Sequence, residues 1–352
     1  MGLRTFLLKF RGCNRLLSLY DLIQTKIGGD VVLQASLNTS NIGDLAPALI
    51  LERVFKDDFG LETDLIGLVG PDVPDFRNYK YHVICGGGVI RDYPKGYLAA
   101  RLMPIDHVEK SFAIGVGVPG IITKKGRELV RKMNKMELIT VRDEQSKERL
   151  EKYLDRPVHV TACPSFLLES EIREKTKRDS ERIGLNLNPK PVLPKQIIPD
   201  REKIIRNYDN VLSRLRNLIK YSDDEFFFIP HSYHDLRIGK DLFGDLNIRI
   251  MPLQPPIKTL LTVSKMDKMI TTRYHSLIFS IIAEKPVYAI SYIDKVMNLA
   301  KELGSPKHYF DLHSSQNSDG IEFTPQEKVR EIHKNMIIRA EKNIKLLREH
   351  LT

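Results

Sequence analysis

Short apolar runs alternate with helix-length amphipathic stretches along most of this chain. Alternation of that kind predicts an α/β fold built on parallel sheets. Asp30–Ser36 reads as a short buried strand, followed by the polar turn Leu37–Gly43 and an apolar helix over Leu45–Phe55. Val83-Ile84-Cys85 is a second strand, stopped by Gly86-Gly87-Gly88, and Ser111–Val118 is a third. Leu138–Val141 leads into a helix over Glu144–Leu154, and Val158–Thr161 closes the series. The stretch Glu169–Arg182 is almost wholly charged and offers no stripe to bury, which marks a domain boundary.

A second series then begins with the strand Ile183–Leu187. A helix over Asp200–Tyr221 carries Ile204, Ile205, Val211, Leu212, Leu215 and Leu218 at helical spacing. Strands follow at Glu225–Ile229, Lys268–Thr271 and Pro286–Ser291. Gln326–His350 places Val329, Ile332, Met336, Ala340, Ile344, Leu347 and Leu351 on one face of a long amphipathic helix with basic residues opposite. The expected layout is therefore a first domain over 1–170 with a leader over 1–29, a charged linker over 171–182, a second domain over 183–325, and a final helix over 326–352.

Composition narrows the class. A chain of 352 residues exceeds one ordinary core, and 42% hydrophobic content is enough to fill two. Three widely spaced cysteines, Cys13, Cys85 and Cys163, exclude a disulfide framework and a cysteine-rich zinc module, and point to a reducing, cytoplasmic setting. No apolar run approaches the ~20 residues of a spanning helix. The excess of 55 Lys+Arg over 45 Asp+Glu suits a solvated basic surface, an anionic membrane face or acidic substrates. The leader is broken by Lys9 and Arg11 too early for a signal peptide. Its Leu16, Leu17, Tyr20, Leu22 and Ile23 fit a helix packed on the first domain, or a basic element lying peripherally on the inner membrane face.

In open α/β sheets, ligands bind beyond the carboxyl ends of strands, so polar and glycine residues in strand-end loops that packing does not need are the candidates for a site. Asn38–Asp44 lies between a strand and a helix: Gly43 permits close backbone approach, Asn41 is polar, and Asp44 is either an N-cap or a general base. Gly86, Gly87 and Gly88 cost backbone entropy, which a tight turn or the close approach of a ligand would explain. Arg142 ends a strand just before the capping residues Asp143 and Ser146, where its guanidinium would clamp a carboxylate or phosphate, or pair with a neighbouring acid. Thr271–Ser276 sets Arg273 and His275 together at a strand-to-helix switch, a setting for anion binding and general acid or base chemistry. Lys295 follows the next strand. There is no H-E-x-x-H, paired cysteine, G-x-S-x-G, dinucleotide fingerprint or Walker A loop. No metal or redox cofactor is called for.

In order, Asn41-Ile42-Gly43-Asp44, Gly86-Gly87-Gly88, Gly115-Val116-Gly117, Val141–Ser146, Thr272-Arg273-Tyr274-His275, Pro286-Val287 and Ser291–Lys295 resemble the polysaccharide pyruvyl transferase family. Leu45 stands where family members commonly carry an acid, Cys163-Pro164 replaces an Asp-Pro pair, and Tyr274 replaces a leucine. The resemblance implies two Rossmann-like domains facing across a cleft in a GT-B-like arrangement, with the acceptor on the first domain and the donor on the second. It implies phosphoenolpyruvate as donor, without a cofactor, and a saccharide acceptor, often lipid-linked, in envelope or exopolysaccharide synthesis. His275 is then the expected acid and Asp44 the base. Arg142, Arg273, Tyr274, Lys295, Asn41, Gly43 and the triple glycine are the expected binding residues. Two rivals are a nucleotide-sugar glycosyltransferase of the same fold and a non-catalytic basic binding protein; nucleic acid is not an expected partner.

Overall fold

The computed structural model describes residues 28–36, 41–67, 74–93, 95–169, 180–188, 200–314 and 320–351. The leader over 1–27 with Cys13, residues 37–40 of the first polar turn, and most of the charged linker lie outside the described residues. The described residues form two six-stranded parallel sheets, each flanked by helices.

The first sheet contains β1 (Val31–Gln34), β2 (Thr63–Ile66), β3 (Tyr81–Gly87), β4 (Lys110–Val116), β5 (Leu138–Val141) and β6 (His159–Val160), in the order β2-β1-β3-β4-β5-β6. Its helices are α1 (Ile42–Phe59), α2 (Tyr97–Leu102), α3 (Lys124–Val130) and α4 (Glu144–Glu151). The second sheet contains β7 (Arg182–Asn186), β8 (Glu225–Phe228), β9 (Ile248–Ile250), β10 (Lys268–Thr271), β11 (Val287–Ser291) and β12 (Tyr309–Asp311), in the order β12-β11-β10-β7-β8-β9. Around it are α5 (Arg201–Tyr221), α6 (Tyr233–Phe243), α7 (Pro256–Ser264), α8 (Tyr274–Ile282) and α9 (Asp294–Lys301), with α10 (Gln326–Leu351) last.

Strands buried on both faces read as continuous apolar runs rather than alternating ones. β3 shows why: Val83 and Cys85 join one core of the first sheet while Ile84 joins the other. Strands with weaker apolar signatures escape the sequence pattern. β2 is Thr63-Asp64-Leu65-Ile66, and its buried Asp64 accepts from the Gly28 and Gly29 amides at 2.8 and 3.1 Å and from the Tyr79 hydroxyl at 2.7 Å. On α5 the buried stripe is Ile204, Tyr208, Val211, Leu215 and Ile219. Leu212 and Leu218 only flank it, because 3.6-residue periodicity selects every third or fourth position.

Two helix starts differ from the sequence expectation. α1 begins at Ile42, since Asn41 and not Asp44 is its N-cap. α8 begins at Tyr274, so Tyr274 and His275 lie inside its first turn rather than in the loop before it.

Contacts divide the chain into residues 1–167 with 337–352, and residues 168–336. One helix, α10, contributes to both. Its outward positions carry both signs of charge, Lys334, Lys342, Lys345 and Arg348 beside Glu331, Glu341 and Glu349, so it is a mixed face rather than a basic one. Arg348 itself pairs with Asp58 at 2.6 Å. Among the described residues no helix is long and apolar enough to cross a membrane.

Buried Asn343 of α10 locks the ends of three strands. Its Oδ1 accepts from Thr140 Oγ1 at 2.5 Å and Thr161 Oγ1 at 2.8 Å, and its Nδ2 donates to the Ala162 carbonyl at 2.9 Å. Thr140 Oγ1 in turn accepts from the Gly115 amide at 2.7 Å. Asn343→Ala strands these groups without water, and stability measured by urea unfolding should fall by about 2–4 kcal/mol.

Candidate active site

A sheet whose strand order reverses opens a crevice at the carboxyl ends of the strands on either side of the reversal. In the first sheet the reversal lies between β1 and β3, where Asn41, Asp44 and the triple glycine stand. Asn41 Oδ1 accepts from the Gly43 amide at 3.2 Å, and its Nδ2 donates to Asp44 Oδ2 at 3.0 Å. Asp44, in the first helical turn, turns its carboxylate toward Gly87: a Cβ there would sit 3.0 Å from Asp44 Oδ1. Gly87 has φ 85°, the left-handed region. A Cβ on Gly86 would lie 2.9 Å from Pro47, and one on Gly88 would lie 3.1 Å from Pro119. The triple glycine therefore combines a turn at Gly87 with close approach of the protein's own α1 and post-β4 loop.

Arg142, at the end of β5, is brought to the same edge. Its backbone amide donates to the Val116 carbonyl at 3.1 Å, and its side chain is 2% exposed. The guanidinium fills the space above Gly117, where a Cβ would collide with it, and Nη2 lies 3.7 Å from the Cβ position of Gly88. Its contact with Asp143 is long, 3.4 Å, because that carboxylate accepts from the Ser146 amide at 2.7 Å as the N-cap of α4. Ser146 Oγ accepts from the Val118 amide at 3.0 Å, tying α4 to the loop after β4. Asn41, Asp44, Gly86–Gly88 and Arg142 thus gather at one edge of the first sheet.

In the second sheet the reversal lies between β7 and β10. Here the Thr272 amide donates to the Asn186 carbonyl at 2.9 Å, and Thr272 Oγ1 accepts from the Asn188 amide at 2.6 Å. Asn188 Nδ2 donates to the buried Tyr292 hydroxyl, whose pKa burial raises. Arg273 occupies the N-cap position of α8 in extended backbone, without capping it through its side chain. Instead the guanidinium grips fully buried Asp235 in bidentate fashion, with Nε 2.6 Å from Oδ2 and Nη2 donating to Oδ1. Nη2 also donates to Ser232 Oγ at 2.9 Å. The fork geometry expected to clamp a ligand is thus engaged by an internal carboxylate. His275 is buried, with the Tyr274 ring edge-on to it at 5.3 Å between centroids. Lys295 lies in the first turn of α9, after the neighbouring strand β11. Among the described residues no group of His, Cys, Asp and Glu side chains is arranged to hold a metal.

The family described as polysaccharide pyruvyl transferase matches residues 41–294, which takes in both switch points. The chain belongs to that family. Solved structures similar to this pyruvyl transferase family member are S. aureus MnaA in a co-structure with UDP and the Methanocaldococcus jannaschii UDP-GlcNAc 2-epimerase in complex with UDP-GlcNAc and UDP. The first shares 13% identity with a TM-score of 0.53, covering 89% of this chain and 90% of the other. The second shares 11% identity with a TM-score of 0.50, covering 90% and 98%. At such identity the likeness is one of fold, GT-B-like in both cases. No curated protein gives a significant match.

In this family member the sequence reading missed Asp235, Ser232 and His231. The signal was present, since Pro230-His231-Ser232 directly follows a strand and precedes a helix. His231 is fully buried, 5.3 Å from the Phe279 ring centroid, with its backbone amide donating to Asp235 Oδ2 at 3.0 Å. Burial pushes its pKa down to about 3, Asp235 opposing and Arg273 adding to the effect. His82, buried in the first sheet, is likewise pushed down to about 3, by burial and then by Arg101.

Both imidazoles are neutral in the fold and take up a proton on unfolding below their ordinary value near 6.5. Their stabilising effect is therefore complete above pH 6.5 and is lost as pH falls toward 3. Denaturant midpoints measured across that window should fall with acid, and His231→Phe should remove up to about 1.4 kcal/mol per pH unit of the slope.

Proposed function

We propose that this chain transfers a pyruvyl group from phosphoenolpyruvate to two hydroxyls of a saccharide, forming a cyclic ketal and releasing phosphate. The observation that carries this reading is the family match over residues 41–294, which takes in Asn41, Asp44, the triple glycine, Arg142, Arg273 and His275 and stops one residue short of Lys295. The chemistry needs a proton donor to carbon, a base for sugar hydroxyls and cations for the donor's phosphate and carboxylate.

The roles follow residue by residue. His275, in the first turn of α8, protonates the methylene carbon of the donor, making its C2 electrophilic. One sugar hydroxyl adds to C2 and loses its proton to Asp44. The C2–O bond to phosphate then breaks, the phosphate leaving with the electron pair. The second hydroxyl adds to C2 and gives its proton to the His275 imidazole, which lost one in the first step, and this closes the ketal. Arg142 supplies positive charge to the donor. Arg273 acts indirectly: gripped by Asp235, it holds the turn that presents His275.

The fold also suits a nucleotide-sugar donor, since the two similar structures carry UDP or UDP-GlcNAc. Phosphate release from phosphoenolpyruvate with a panel of saccharide acceptors, run beside the same acceptors with nucleotide sugars, separates the two. Turnover with nucleotide sugars alone would replace the pyruvyl reading.

Two variants test the roles. His275→Gln should keep donor affinity within a few-fold while turnover drops by about 10²–10⁴-fold, read from single-turnover phosphate release. Arg142→Ala should weaken donor binding by about 1.5–3 kcal/mol in calorimetric titration. Gly117→Ala, which pushes the Arg142 guanidinium aside without removing it, should act in the same direction.

A further inference from the structure

The largest fully buried side chain of the described residues is a cation. Arg101, at 0% exposure in α2, donates from Nη1 to the Gln34 carbonyl at 2.8 Å. Its Nη2 donates to Ser36 Oγ at 3.2 Å and to the Tyr97 hydroxyl at 3.1 Å. Its Nε has no hydrogen-bond partner. Arg91, half-buried in the loop after the triple glycine, lies with Cζ 4.6 Å from the Tyr97 ring centroid and 5.3 Å from that of Tyr93. Its Nε is also buried without a hydrogen bond. Arg101 Cζ is 5.5 Å from that same Tyr97 centroid.

Two guanidiniums thus share one tyrosine ring, and among the described residues neither is paired with a carboxylate. The nearest acid in sequence, Asp92, is committed elsewhere: its carboxylate accepts from the Ile122 and Thr123 amides at 3.0 and 2.6 Å and from Thr123 Oγ1 at 2.6 Å. Ring quadrupoles and neutral acceptors offset part of two like charges but do not neutralise them. Contrast Arg273, whose charge the second sheet meets with a fully buried aspartate. The cluster lies beyond the carboxyl end of β1, at the edge of the sheet where ligands of this fold class bind.

We infer that Arg91, backed by Arg101 and held by Tyr97, forms a subsite for a phosphoryl group of a substrate. Arg91, the accessible member, donates directly to the phosphoryl oxygens through its fork. Arg101, sealed beneath, raises the local potential and fixes Tyr97. The inference rests on the transferase reading only for its choice of substrates. A phosphoryl group comes either from a glycosyl phosphate or diphosphate acceptor or from phosphoenolpyruvate.

The test is calorimetric titration of the full chain with inorganic pyrophosphate, glucose 1-phosphate and phosphoenolpyruvate, for the parent, Arg91→Gln and Arg91→Lys. The expected result is pyrophosphate and sugar-phosphate binding that weakens at least tenfold in Arg91→Gln and less in Arg91→Lys. Unchanged phosphoenolpyruvate affinity in Arg91→Gln assigns the subsite to the acceptor, and an equal loss assigns it to the donor. Protection of Arg91 from phenylglyoxal by pyrophosphate, read by peptide mass spectrometry on the parent chain, holds even where a variant folds poorly. Absent binding of all three probes, or an Arg91 modified at the same rate with and without saturating pyrophosphate, overturns the inference. Because every readout is binding, a chain that binds these anions but transfers no pyruvyl group would sink the proposed reaction and leave the subsite standing.

Discussion

A parallel sheet must cross over to the same hand at every connection, so where its strand order reverses, successive helices go to opposite faces and the loops between them part. Both sheets of this protein contain one such reversal, β1 against β3 and β7 against β10. The chemically capable residues collect at these two places. Asn41, Asp44 and Arg142 gather at the first, and Asn188, Arg273 and His275 at the second. Elsewhere the central strands are covered mainly by apolar side chains.

The described residues handle buried ionisable groups in four different ways. Arg273 meets fully buried Asp235, and the bidentate pair fixes the turn leading into α8. Arg142 makes a long contact with Asp143 and occupies a space kept open by the missing side chains of Gly117 and Gly88. Arg101 relies on a carbonyl, two hydroxyls and a tyrosine ring. His231 and His82 illustrate a fourth outcome, in which the group gives up its charge. A paired charge serves architecture, whereas a charge met only by neutral groups keeps its field for a ligand.

The glycines belong to the same logic. Gly86, Gly87 and Gly88 bring α1 and the post-β4 loop so near β3 that Asp44 and Arg142 come to one edge of the sheet. The Asn343 hydrogen bonds tie together the ends of β4, β5 and β6 at that side of the same sheet. Membership of the polysaccharide pyruvyl transferase family accounts for why these strand-end elements occur together in this order.

Much of this was legible in the residue pattern. Short apolar runs announced β1, β3, β4, β5, β6, β7, β8, β10 and β11, because hydrophobic burial is a local property of composition. The polar and glycine content of strand ends likewise exposed Asn41, Asp44, Gly86–Gly88, Arg142, Arg273 and His275 as residues that packing alone does not demand. Short or polar strands such as β2 and β9 gave no such signal, since their place depends on a neighbour to pair with. What only tertiary structure decided was partnership. Asp235 meets Arg273 across 38 residues, and nothing local in either segment encodes that distance. Arg91 and Arg101 became a pair only when Tyr97 was folded between them, and Asn41 displaced Asp44 as the helix cap through hydrogen-bond geometry. Local sequence determines which residues prefer to be buried or turned; the electrostatic fate of each charge is decided by what long-range folding sets beside it.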